Sequence, residues 1–180
     1  MKNIFYIIIL IATLSCCKND DDNNTETLPP ATQTGAGTFA CKVNGQSFID
    51  TSGGYFNCFY QLTGGGYYFG ISSEDKNYRN SNLPWSISLG TVHRTISQEE
   101  TLFLLESING NASGSAFFSI SSTQGEGSQT NSKYTGELTI TKLDFTKNIV
   151  SGIFWFDVIH PITGETVEIR DGRFDTLFTQ

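Results

Sequence analysis

Cations are scarce and scattered in this chain of 180 residues, which has 11 Lys and Arg against 18 Asp and Glu and a formal net charge of −7. No cluster of bases forms, so the electrostatic footprint that nucleic acid or an anionic membrane surface requires is missing. Histidine is rarer still, present only as His93 and His160. Both are read as surface residues in loops or turns. Neither has an acid, cysteine or serine at a recognisable catalytic or ligand spacing, which leaves a triad or a histidine metal centre without support. Only 16% of the residues are charged, too few for long solvated helices. The longest apolar run, residues 4–14, is about half of the roughly 20 residues that cross a bilayer as a helix. There is no repeat of fixed period and no strand–helix alternation of the kind that builds a parallel sheet.

What is present at the N-terminus is ordered like an address. Met1-Lys2-Asn3 carries one positive charge, the run IFYIIILIATL follows, and small residues close it. That is the pattern of a secretory signal peptide, assigned to residues 1–15. In place of a small-residue cleavage site, Thr13-Leu14-Ser15-Cys16 resembles the lipobox of bacterial lipoproteins. There the cysteine sulfur is the nucleophile that becomes thioether-linked to diacylglycerol. Cys16 follows the small Ser15; Cys17 is the alternative acceptor. The adjacent thiols read as an anchor plus a bystander, and two or more acyl chains would hold the protein stably on a membrane. Lys18-Asn19-Asp20-Asp21-Asp22 resembles the export signal of surface lipoproteins in the Bacteroidota. The resemblance implies an outer-membrane lipoprotein with palmitate-type acylation, displayed on the cell surface. Residues 16–37 are therefore expected to be the acylated cysteine and a disordered acidic linker. Its part 18–37 has one leucine and no aromatic, so it buries too little to offset ordering entropy.

Residues 38–180 form the expected folded domain, with fourteen acids against nine bases. Its periodicity is that of strands. Phe39, Cys41 and Val43 alternate with Ala40 and Lys42, and Asn44-Gly45 supplies the positive-φ pair of a two-residue hairpin. Phe56, Cys58, Tyr60 and Leu62 alternate with Tyr55, Asn57, Phe59 and Gln61 before the turn Gly64-Gly65-Gly66. Trp85, Ile87 and Leu89 read as an inward face, as do Ala116, Phe118 and Ile120. The C-terminal third reads as a meander. Ile153-Phe154-Trp155-Phe156 is apolar on both phases, which predicts a central strand covered on both sides. Ser97-Gln98-Glu99-Glu100 could cap a short helix, but an all-β setting favours a strand at residues 101–104. About nine short strands predict an all-β antiparallel sandwich, with a flattened barrel as the alternative.

Thr38-Phe39-Ala40-Cys41-Lys42-Val43-Asn44-Gly45 at the domain start is similar to the opening of small Bacteroidota lipoproteins of no assigned activity. Gly136-Glu137-Leu138-Thr139, Ser151-Gly152-Ile153-Phe154 and Asp171-Gly172-Arg173-Phe174 extend the likeness to the domain's end. The resemblance implies an address and a β-rich architecture; it brings no catalytic residues. No cofactor or metal is expected. Glu74-Asp75-Lys76-Asn77 with Asn80-Ser81-Asn82 has oxygen ligands but the wrong order for an EF-hand. Glu137, Asp157 and Glu168 are the carboxylates to consider if a glycosidase pair exists. Asp175-Thr176-Leu177 resembles the Bacteroidota O-glycosylation tripeptide. Cys41 and Cys58, both on inward phases, could form a disulfide after export. Tyr55, Phe59, Tyr68 and Phe117 fall on outward phases and are the candidate aromatic binding face. The expected function is a non-catalytic binding or scaffolding module for a glycan or a surface protein. A polysaccharide-acting enzyme and a purely structural envelope component are the alternatives.

Overall fold

The computed structural model describes residues 27–180 apart from Gly54, Tyr55 and Asn80. The signal peptide, both lipidation candidates and the Lys18 to Asp22 signal lie outside the described residues, as does Tyr55. Among the described residues eleven strands follow one another: β1 (Thr38–Val43), β2 (Gln46–Ile49), β3 (Asn57–Thr63), β4 (Gly66–Glu74), β5 (Ser86–Thr91), β6 (Thr101–Leu104), β7 (Ala112–Ser119), β8 (Gly125–Gln129), β9 (Gly136–Asp144), β10 (Ile149–Ile159) and β11 (Thr166–Leu177). A 3-10 turn at Lys76–Tyr78 lies between β4 and β5. The chain is all-β, as the alternation predicts.

The strands form one sheet in the order β2-β1-β11-β10-β9-β6-β7-β5-β4-β3, with β8 beside β7. Among the described residues the pairings are antiparallel except the short β6–β7 contact and the isolated Phe59–Thr179 bridge, which are parallel and make the sheet mixed. The sheet curls into a half-barrel, so that one continuous layer supplies both walls of the core expected of a sandwich. Phe69 of β4 meets Phe174 of β11 across the interior at 6.2 Å, and Phe39 of β1 meets Phe154 of β10 at 5.2 Å. The curl brings the ends of the sheet together. Thr179, just past β11, pairs with Phe59 of β3. Beyond β2, Asp50 accepts hydrogen bonds from Ser73 Oγ and Glu74 N–H, while Thr51 N–H donates to Glu74 O.

The local devices follow from residue type. Asn44 and Gly45 take φ of 48° and 82°, the pair a two-residue hairpin requires. Residues 101–104 are a strand, and no helix precedes it. Glu100 folds back to accept Ser97 N–H at 2.9 Å, so the capping pattern closes a turn instead.

The expected linker ends earlier than residue 37. Its part from residue 32 is docked on the sheet by Asp175, whose carboxylate is buried on the otherwise outward phase of β11. Asp175 accepts hydrogen bonds from Thr32 Oγ1 (2.6 Å), Thr34 N–H (2.9 Å), Gly35 N–H (2.8 Å) and Ala36 N–H (3.2 Å), and from Ser151 Oγ on β10 (2.8 Å). Arg173 Nη1 adds a bond to Pro29 O. A strap thus offsets its ordering entropy with charge-assisted hydrogen bonds rather than apolar burial. Burial alone would raise the Asp175 carboxyl; the bonds from Thr32, Thr34, Gly35 and Ser151 outweigh it and hold the group well below the ordinary carboxylate range.

Candidate functional site

The inward phase of β3, β4, β5 and β7 is filled by Cys58, Tyr60, Phe69, Ile71, Ile87, Leu89, Ala116 and Phe118, all buried. The outward phase of the same strands is almost free of large aliphatic residues. Register places Ser115, Ser88, Ser72 and Asn57 side by side in one row across four strands, and Ser113, Gly90, Gly70 and Phe59 in the next. Ser88 Oγ donates to Ser72 Oγ at 2.9 Å. The result is a shallow hydroxyl-bearing face with little side-chain relief.

Flat aromatic rings bound this face at opposite corners. Phe117 of β7 stands directly across from Gly127 of β8, and its ring also lies against Gly125. Phe59 of β3 stands across from Gly70 and covers it so closely that a Cβ there would meet the ring at 2.5 Å. A ring laid on glycine has one face packed on backbone and leaves the other for a ligand. Tyr68 stacks on the exposed His93 at 6.2 Å. Phe59, Tyr68 and Phe117 therefore do face outward, but they are not one platform. Three strand spacings and four residues along a strand separate Phe117 from Phe59, about 20 Å on the diagonal.

Trp85 corrects the expected core. It precedes the first residue of β5, so the alternation that buries Ile87 and Leu89 does not reach it. Trp85 is instead half-buried on the outer side, edge-on to Phe117 at 5.4 Å, with the Arg79 guanidinium 4.3 Å over its ring. Trp85, Ser86, Ser88, Ser115, Phe117 and Gly127 line a trough of about 270 Å³. A second hollow of about 430 Å³ adjoins it on the same two rings, bordered by Arg79, Ser119 and residues 121–125. An aromatic wall over a serine floor can stack a sugar ring on its apolar face while hydroxyls exchange hydrogen bonds below.

The other half of the sheet has a different outer face. Ile153 and Trp155 of β10 are exposed, so this strand is covered on one side only, contrary to the expectation from its apolar run. Glu137, across from Trp155 on β9, accepts the indole N–H at 3.4 Å. The Arg170 guanidinium lies 5.4 Å from that ring and pairs with Asp157 (2.7 Å) and Glu168 (3.3 Å). Its Nη1 donates to the carbonyls of Phe156 and Ile169, so the contact with Asp157 Oδ1 is ionic without hydrogen-bond alignment. Glu137, Asp157 and Glu168 thus do share a face, with Asp157 and Glu168 paired to one arginine. Trp155, Glu137, Ile153, Arg170 and Arg173 line a concavity of about 530 Å³, closed on one side by Ala31 of the strap.

The remaining candidates separate. His160 is buried, correcting its reading as a surface histidine. Its ring packs on Phe118 at 4.8 Å and Nδ1 accepts the N–H groups of Ile162 and Thr163, which closes the β10–β11 turn. Thr176 is buried within β11, so the Asp175-Thr176-Leu177 tripeptide is inaccessible to a glycosyltransferase in the folded domain. Asp75 is buried too, accepting Ile49 N–H and Asn77 N–H, and Glu74 pairs with Arg79. Among the described residues no group of three or more His, Cys, Asp or Glu is placed to hold a metal ion. Cys41 and Cys58 are free buried thiols rather than a disulfide, on strands that do not pair with each other. Burial pushes Cys58 up to about 12 and Cys41 further in the same direction. No helix of the described residues is long and apolar enough to cross a membrane. Sequence reasoning missed β8, which carries no apolar alternation, and both tryptophan surfaces. The glycines of Gly125-Glu126-Gly127 were the available signal for the seat of Phe117.

Comparison of the chain with protein-family models, with curated proteins and with solved structures finds no match.

Proposed function

We propose that the chain is a lipid-anchored surface lipoprotein of the Bacteroidota type whose β domain binds glycan without transforming it. The address rests on the lipobox-like Thr13-Leu14-Ser15-Cys16 and the Lys18 to Asp22 stretch. The binding role rests on one observation above all: the serine-floored trough between Trp85 and Phe117, which opens onto the hydroxyl-bearing face that reaches Phe59 and Tyr68. A few hydrogen-bonding groups beside apolar walls are the usual recipe of such sites.

A glycan array probed with the purified chain tests the reading. Selective binding that Trp85→Ala and Phe117→Ala each weaken about tenfold is the expected result. Binding to no glycan, or binding that survives both substitutions, would sink it. The enzyme reading draws on Glu137, Asp157 and Glu168 sharing one outer face. Release of reducing ends from a bound polysaccharide, lost in Glu137→Gln, would replace the binding reading with that one. Anchoring is tested by Cys16→Ser, which should leave the membrane fraction.

A further inference from the structure

The β3–β4 turn, the β9–β10 turn and residues 93–97 surround one end of the half-barrel. There Tyr60, Leu62, Tyr67, Ile96, Phe145 and Gln180 line a cavity of about 610 Å³, within the range of ligand pockets. Its rim is unusually apolar for a surface: Leu62 is 61% exposed, Phe145 53% and Tyr67 38%. The Tyr60 ring touches both Tyr67 (5.2 Å) and Phe145 (5.9 Å), and its hydroxyl accepts Ile96 N–H, which holds the walls in place. A contiguous exposed patch of this kind marks an interaction site. The strap begins at the other end, where Thr27 and Leu28 lie with Lys42, Gly45 and Ser47.

What fits the cavity is indicated by the strand beside it. β3 is the last strand of the sheet. Among the described residues Thr179 covers its outer edge at one rung: Tyr60 N–H donates to Thr179 O at 2.8 Å and Thr179 N–H to Cys58 O at 3.0 Å. Backbone groups on one edge of an antiparallel strand recur at every second residue. The Tyr60 carbonyl and both backbone groups of Leu62 therefore also point away from β4, immediately beside the cavity. A small apolar molecule would fill the cavity but leave this edge as it is; an extended backbone matches both, and Thr179 already shows the geometry one rung away.

We propose that the outer edge of β3 at residues 60–62 and the cavity beside it form a docking site for an extended, apolar peptide segment of a partner protein. The peptide adds a strand in the direction of Thr179, its main chain bonding the edge and one large apolar side chain entering the cavity.

Random linear peptides displayed on phage, panned against the purified full chain, test this. Enriched peptides should carry a large apolar residue, and the best of them, synthesised, should lose affinity about tenfold with Phe145→Ala and remain unaffected by Trp155→Ala. N-methylation of its alternate amides separates strand addition from simple stickiness. Methylation in one phase should weaken binding about tenfold, and in the other phase hardly at all. Circular dichroism checks that Phe145→Ala is folded, and Tyr67→Ser supplies a second lesion of the same cavity. No enrichment, equal effects of both methylation phases, or peptides indifferent to both lesions would overturn the proposal. So would self-association of the chain that Phe145→Ala abolishes, which would assign the surface to a second copy.

Discussion

The same pairing, a phenylalanine ring laid over a glycine directly across on the next strand, occurs on both faces of this sheet. Inside, Phe154 covers Gly172 and Phe174 covers Gly152. Outside, Phe59 covers Gly70 and Phe117 covers Gly127. The inner rings continue into a stack, with Phe154 6.4 Å from Phe174 and 5.2 Å from Phe39, so both sides of each ring are used by the fold. The outer rings have a packed side and a wet side. One sheet-building device therefore yields core on one face and a surface for stacking on the other. Stability should follow the inner pairs and binding the outer ones.

Asp175 is the sharpest test, because it belongs to the outer phase and yet is only 1% exposed, covered by the strap. Asp175→Ala should cost about 3 kcal/mol in urea unfolding, the scale for losing several hydrogen bonds to a charge. It should also open the strap to protease. If neither changes, the strap contributes nothing to the fold. The pH dependence has a definite sign. The folded carboxyl lies below its unfolded value, so its contribution is whole above about pH 4. It shrinks below that as the unfolded chain binds the proton first, and it is gone once the folded group protonates. Acid unfolding that begins well above that point in the wild type would mean another group dominates.

The glycines divide the faces directly. Gly172→Ala places a Cβ 2.5 Å from the buried Phe154 ring and should cost about 1–3 kcal/mol, with glycan binding unchanged per folded molecule. Gly70→Ala makes an equally close contact with Phe59, whose ring can lift into solvent, so stability should fall by less than about 1 kcal/mol. If the outer face binds glycan as proposed, its affinity should drop instead. Equal stability losses from the two would erase the contrast between the faces.

The inner face was legible in the sequence because burial enforces a period of two: Phe39, Cys41 and Val43, or Phe118 with Ala116, could hardly alternate for another reason. The outer face imposes no such period, and its features came from tertiary relations. Trp85 looked like core because it shares parity with Ile87, and only the start of β5 one residue later frees it. β8 lacks apolar residues because it lies at an edge, where its glycines serve Phe117. The strap escaped because threonine and glycine amides are bound by an aspartate some 140 positions away. The curl that joins β2 to β4 and Thr179 to β3 is likewise nonlocal, which is why sandwich and barrel looked alike.

The thiols sharpen the inner side further. Cys41 and Cys58 are buried and raised by that burial, so iodoacetamide at mildly alkaline pH should label neither in the folded chain. Both should react once it is unfolded without reductant, and a peptide map in which Cys41 and Cys58 stay unlabelled after unfolding would show a bridge. A raised thiol adds stability that is whole below the ordinary thiol range and declines as pH rises through it, because the unfolded chain ionises first. For Cys58 that decline runs up to about pH 12.

The smallest effect is expected at Arg170, on the charged outer half. Its partners Asp157 and Glu168 are partly exposed, and water screens such pairs to between zero and about 1 kcal/mol. Arg170→Gln should therefore lower stability by less than about 1 kcal/mol even though two ion pairs, two carbonyl hydrogen bonds and a ring contact are removed. Trp155 should report the change regardless, since the guanidinium sits 5.4 Å from its ring. Its fluorescence should shift while the unfolding midpoint barely moves, and Trp85→Phe removes the other indole so that the signal belongs to Trp155 alone. A loss of several kcal/mol would mean that the Nη1 bonds to the Phe156 and Ile169 carbonyls hold β10 and β11 together where their register shifts between Phe154 and Phe156. In that case this outer face would be as structural as the core beneath it, and the division between faces would apply only to the half of the sheet that carries the serines.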